Sequence, residues 1–175
     1  YVDWIPLVDS ETAGASTVSF DGYMTSDYNE YKFEFRNLHP SAASKFAWQA
    51  NAVGGSGYNE TITSSSFYAY HQEHDSSGFG FQSNDAQDQG TAFQNILYTI
   101  GRNDSPYTAP QSDQAINGSL TFFQPSNTTY VTMWNTEIHA HYYEDADGVA
   151  NGGYSGTWLE HCAGYINTTT AIDDI

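Results

Sequence analysis

Glu137, His139 and His141 stand at every second position of EIHAHYYEDADG, residues 137–148. On a strand that spacing puts all three side chains on one face, about 7 Å apart at each step. Two imidazoles presented by one strand are a known way of offering nitrogen ligands to a transition metal. Glu144, Asp145 and Asp147 follow, and an acidic loop of that kind supplies the oxygen ligands that calcium takes. Neither ligand set is complete. A zinc site wants three or four ligands, and the twelve-residue spacing of an EF-hand is missing. Asp and Gly are also ordinary residues of a hairpin loop. The alternate positions of the same strand, Trp134, Ile138, Ala140 and Tyr142, are apolar or aromatic. The stretch therefore reads as a strand with a core side and a polar contact side, Glu137, His139, His141 and Tyr143. The metal set of His139, His141, Glu144, Asp145 and Asp147 is kept as the weaker alternative, and no cofactor is expected.

Cupins, the metal-binding jelly rolls, carry a His-x-His pair with a downstream glutamate and a later histidine. Here Glu144 comes only three residues after His141, and the second cupin segment is not recognisable. His161 is a distant third imidazole that the sequence does not place. His71 and His74, in YHQEHDSSG, fit no single strand face and flank a turn, where histidines can tune an interface near neutrality. There is no Gly-x-Ser-x-Gly, no phosphate-cradling glycine loop and no dinucleotide fingerprint. Carboxylates are abundant, but a glycosidase needs a placed pair. The chain is not expected to be an enzyme. Its aromatic share is 16%, with 14 tyrosines. Tyrosine combines a ring with a polar tip and suits contact surfaces. Tyr68, Tyr70 and Tyr143 are candidates for such a surface, and rings that stack on sugars make a lectin-like carbohydrate-binding module an alternative function.

The charge excludes other partners. Four Lys+Arg stand against 21 Asp+Glu, a formal −17. Lys32, Arg36, Lys45 and Arg102 cannot form the basic patch that neutralises phosphates, so no nucleic-acid partner is expected. An anionic membrane surface would repel the chain, and no apolar run approaches the ~20 residues of a membrane helix. Acidity favours solubility, and salt softens its self-repulsion. Cys162 is the only cysteine, which excludes an intrachain disulfide and a cysteine-rich zinc site. The opening YVDWIPLVDS has neither a basic n-region nor an apolar h-region, so a signal peptide is not expected. Asn59, Asn103, Asn117, Asn127 and Asn167 begin Asn-x-Ser/Thr triplets, which the abundance of Ser and Thr explains without glycosylation.

The elements that must position these residues are strands. In YKFEFR, Tyr31, Phe33 and Phe35 alternate with Lys32, Glu34 and Arg36, the pattern of a half-buried strand. KFAWQANAV, SSSFYAYHQ, FQNILYTIG, GSLTFFQP, TYVTMWNTEIHAHYY and YSGTWLEHCAGYI follow. Between them lie clusters of Gly, Asn, Asp, Ser and Pro, residues with specific turn chemistry. No caps or 3.6-residue apolar stripe mark a helix. Eight or more short strands with frequent turns predict an all-β fold, an antiparallel jelly-roll-like β-sandwich. Residues 1–175 read as one domain, with a final strand, in INTTTAIDDI, that looks incomplete.

WIPL with STVSF, then YNEYKFEFRNLHP, then GYINTTTAIDDI, together resemble small β-sandwich virion proteins of tailed phages, particularly marine and cyanobacterial ones, described as tail-fibre or virion structural proteins. The resemblance implies a structural role on the surface of a phage particle, as a tail-associated or capsid-decorating protein. It implies assembly with other virion proteins and with copies of itself, with a host-surface glycan as a further partner. It carries no catalytic residues. In that family the last piece runs on through another strand pair.

Overall fold

The computed structural model describes residues 4–8, 14–39, 45–73, 77–81, 88–97, 115–144 and 154–175, with the backbone alone at 81, 142–144 and 154. Ten strands follow in chain order: β1 Glu30–Leu38, β2 Phe46–Trp48, β3 Asn51–Ala52, β4 Ile62–Gln72, β5 Ser77–Phe81, β6 Gln94–Leu97, β7 Ile116–Phe123, β8 Thr132–Glu144, β9 Tyr154–Ile166 and β10 Ile172–Asp174. No helix occurs among the described residues. Six strands form one antiparallel sheet in the order β1-β7-β8-β9-β4-β5. The pairs β2-β6 and β3-β10 form two small sheets. The fold is an all-β sandwich, as the alternation predicts.

Alternation decides which face of the large sheet is buried. In β1, Tyr31 is buried and Phe33 and Phe35 pack on the core, while Lys32, Glu34 and Arg36 point out. Across the sheet, Phe122 of β7 is in register with Trp134 of β8, and Ile138 with Gly118 and Glu160. Paired residues of an antiparallel ladder share a face, so the apolar sets of neighbouring strands merge into one inner surface. The small sheets cover it. Trp48 of β2 packs edge-on against Phe122 and Trp134, with ring centroids 4.9 and 5.0 Å apart. Phe46 meets Phe35 at 4.6 Å. Ala52 and Ile172 close the core beneath the β3-β10 pair.

Several buried polar groups find partners along this inner surface, although Trp48 Nε1 and Trp134 Nε1 do not. Thr136 Oγ1 accepts the Cys162 N–H and donates to the Cys162 carbonyl. Ser64 Oγ donates to Gln94 Oε1 at 2.7 Å. Gln49, almost fully buried, donates through Nε2 to the carbonyls of Glu60, Thr91 and Ala92. That clamp divides KFAWQANAV into β2 and β3, a break the residue pattern does not announce. In FQNILYTIG the described strand is β6, Gln94–Leu97, and residues 98–101 lie outside the described set. Ile96 and Leu97 are both buried although adjacent, beside a register shift in the β2-β6 pair. In INTTTAIDDI the final strand is β10, whose Ile172 is fully buried.

Gly118 is a position only glycine fits. Its φ is +155°, and a Cβ there would run into the Glu137 carbonyl and Ile138. It lies where β1 bulges between Phe35 and Leu38. Asn37, with φ of 50°, sits in that bulge and donates its N–H to Asn117 Oδ1 at 2.9 Å.

Candidate contact face

The outward surface of the six-stranded sheet carries the polar side of β8. Glu137 and His139 are exposed and His141 is half-buried, while Trp134, Ile138 and Ala140 behind them are buried. The register then assembles neighbours that are remote in sequence. Glu137 pairs with Ser119 on one side and His161 on the other, and His161 pairs with Phe67. His139 leads through Leu159 and Ala69 to Phe79. His141 leads through Thr157 to His71. Three rows therefore cross the sheet, and they bring together four of the six histidines.

The contacts within these rows are direct. His139 Nε2 lies 3.2 Å from Glu137 Oε1. The His161 ring stacks on Phe67 with centroids 5.1 Å apart and planes 22° apart. A shallow groove of about 490 Å³ runs between His71, Glu73, His139, His141 and Thr157. A second, of about 300 Å³, lies between Phe67, Glu137 and His161. Large apolar side chains stand open to solvent here: Phe79 is 86% exposed, Met133 58% and Phe67 52%.

Charge is sparse on the described part of this surface, where Glu73 borders the first groove. At the outward positions of β4, β5, β7, β8 and β9 among the described residues, Glu137 is the one carboxylate. The chain as a whole has 21 Asp+Glu. On β1 the outward Lys32 and Arg36 both contact Glu34. The Arg36 hydrogen bond and then Lys32 hold the Glu34 carboxyl below its ordinary range.

Tyr68 and Tyr70 are on the opposite, inner face. They are half-buried and stack with Trp158 of β9: the Tyr68–Trp158 centroids are 4.5 Å apart and the Tyr70–Trp158 centroids 5.8 Å. Trp158 Nε1 donates to Oε2 of the fully buried Glu160 at 3.1 Å. The tyrosine rings lie over Gly78 and Gly80 of β5, where a Cβ would come within 2.8 Å of Tyr70 Cε1 and 2.9 Å of Tyr68 Oη. The rings spend their stacking on one another, away from the histidines. The structure thus separates the six contact candidates: Glu137, His139 and His141 share one face, and Tyr68 and Tyr70 belong to the other. The side chain of Tyr143 lies outside the described residues, as do that of Glu144 and all of His74, Asp145 and Asp147.

Sequence reasoning missed His161 and His71 as members of the open face, and Trp158 as the centre of the ring stack. One local signal for the stack exists. Tyr-x-Tyr in β4 faces Gly-x-Gly in β5, an alternation in which large side chains require small partners. Among the described residues no group of three or more His, Cys, Asp or Glu side chains is placed to hold a metal ion.

The fold and this surface define a class: an antiparallel β-sandwich with one sheet face that is open and sparsely charged among the described residues. The chain matches no family model, no curated protein and no solved structure.

Proposed function

We propose that this protein is a structural subunit that acts by assembly, of the kind found on phage virion surfaces in tail fibres or capsid decoration, with host attachment as its further role. The observation that carries the reading is the open sheet face. Among the described residues the outward positions of β4, β5, β7, β8 and β9 carry one carboxylate, Glu137, in a chain of formal charge −17, and they leave phenylalanine, methionine and histidine open to solvent. Depletion of charge with retention of aromatic and Met side chains is the composition of an interface core. Two copies of so acidic a chain repel each other wherever their carboxylates meet, so this face is where another protein, or another copy, approaches at least cost. The imidazoles add hydrogen-bond donors and acceptors to the contact without a metal.

Solution mass tests it. Ala69 and His139 are both exposed and lie in the middle row, on either side of Leu159. The double change Ala69→Asp with His139→Asp puts carboxylates at the centre of the face without touching the core. The wild-type protein should sediment as an oligomer, and the double variant should dissociate at least tenfold more readily. A wild type that is monomeric at all concentrations, in the absence and presence of its particle partners, contradicts the reading. A second double change, His139→Ala with His141→Ala, should leave metal content unchanged. Stoichiometric zinc, manganese or iron that is lost in that variant would show a metal centre instead.

A further inference from the structure

We propose that β5 is a pairing edge, on which β5 of a second copy adds antiparallel and joins the two large sheets into one. The inference rests on the assembly reading and deepens it by naming the partner; Phe79 belongs both to the open face and to this edge, so it is the cross-link at position 79 that reports on the edge pairing. The two edges of the six-stranded sheet are built differently. β1 is guarded by Lys32, Glu34 and Arg36 and by the bulge between Phe35 and Leu38, the devices that keep an edge from pairing. β5 is SGFGF, without charge or proline, and among the described residues it pairs with β4 alone. An unguarded edge presents a row of backbone donors and acceptors to another strand.

Three features select a second copy as that strand. First, the edge is neutral in a chain of formal charge −17, so two copies meet there without carboxylates opposed. Second, a two-fold axis at Phe79 makes the strand self-complementary. Phe79 then faces the second copy's Phe79 directly across the ladder on the outer side, where opposed aromatic side chains stabilise a pair. That would cover the most exposed large hydrophobic residue of the described chain, at 86%. Third, the same axis sets Gly78 against the second copy's Gly80 on the inner side. There Tyr70 and Tyr68 already fill the space above the glycines. With glycine at 78 and 80 in both copies, neither β5 places a side chain on the inner side beside the rings.

The test is sedimentation equilibrium on wild type, Phe79→Lys and the face variant Ala69→Asp with His139→Asp, with Phe79→Cys under mild oxidation as a second probe. Phe79→Lys should weaken self-association at least tenfold while the circular-dichroism spectrum stays that of a β protein. F79C should give a disulfide-linked dimer, because Cys162 is 1% exposed and does not compete. Self-association unchanged in Phe79→Lys, or F79C that stays monomeric under oxidation, overturns the inference. If only the face variant dissociates, the β5 edge is wrong and the assembly reading stands. If Phe79→Lys dissociates and the face variant does not, the edge holds and the face loses its role.

Discussion

Asp173 shows how a single carboxylate in an acidic chain works against the fold. Its Oδ1 is buried without a hydrogen-bond partner. Burial, and then the Asp174 and Asp21 carboxylates, raise its pKa above the ordinary aspartate range. The folded state therefore holds the Asp173 proton to higher pH than the unfolded chain does. Stability falls as pH rises through that window, and the loss is complete at neutrality. Asp173→Asn should restore it there, by about 1 kcal/mol for relief of a misplaced charge, or ~2–4 °C in Tm for a chain of this size. Melts at pH 7 should show the gain, and melts well below the ordinary aspartate pKa should not. A gain of equal size at both pH values would refute the electrostatic cause. Trp134 is the opposite case. It is buried between β2 and β7, and Trp134→Ala should cost ~3–5 kcal/mol. Its Nε1 has no hydrogen-bond partner, so Trp134→Phe should cost distinctly less. Urea midpoints compare the two, and equal losses would mean that the indole N–H matters.

At the scale of the element, β4 and β5 are joined by shape as well as by backbone hydrogen bonds. Tyr68 and Tyr70 occupy the volume that side chains at positions 80 and 78 would need. Gly80→Val should destabilise the protein by roughly 1–3 kcal/mol through overpacking. In a Tyr68→Ala background the same change should cost much less, because the ring that it displaces is gone. Additive losses in that double-mutant cycle would mean the valine acts on the backbone of β5 and not on the ring. β8 and β9 need no such device. They pair along all thirteen residues of each strand, and the period of two fixes which side chains face the core.

For the whole molecule, the balance is between a continuous core and a self-repelling surface. The chain carries a formal −17, and among the described residues the outward positions of β4, β5, β7, β8 and β9 hold one carboxylate, Glu137. Raising NaCl from roughly 0.01 M to 1 M shortens the Debye length from about 30 Å to about 3 Å. Both Tm and self-association should rise with it, since the repulsion being screened opposes folding and contact alike. A Tm that falls with NaCl would show that ion pairs such as those of Glu34 outweigh the net charge. Fold and the proposed interface thus answer to the same variable, and the sparsely charged face is where contact would meet least repulsion.

The sequence by itself determined the class of fold and the inside and outside of its best strands. YKFEFR and TEIHAHYY state their faces in residue order, because a strand turns its side chains over at every step and burial follows hydrophobicity. It determined, too, that Glu137, His139 and His141 share the outward side. What it did not determine is which strands lie beside β8 and in what register. His161 faces Glu137 only because β9 pairs with β8 at that offset, and a slip of one residue would turn His161 into the core. The same dependence set Tyr68 and Tyr70 on the far side from the histidines, although their strand carries aromatics on both faces. Alternation within a strand is a local property of the chain. The neighbour, the offset and hence the composition of a shared surface come from packing between segments far apart in sequence, which the tertiary structure alone decides.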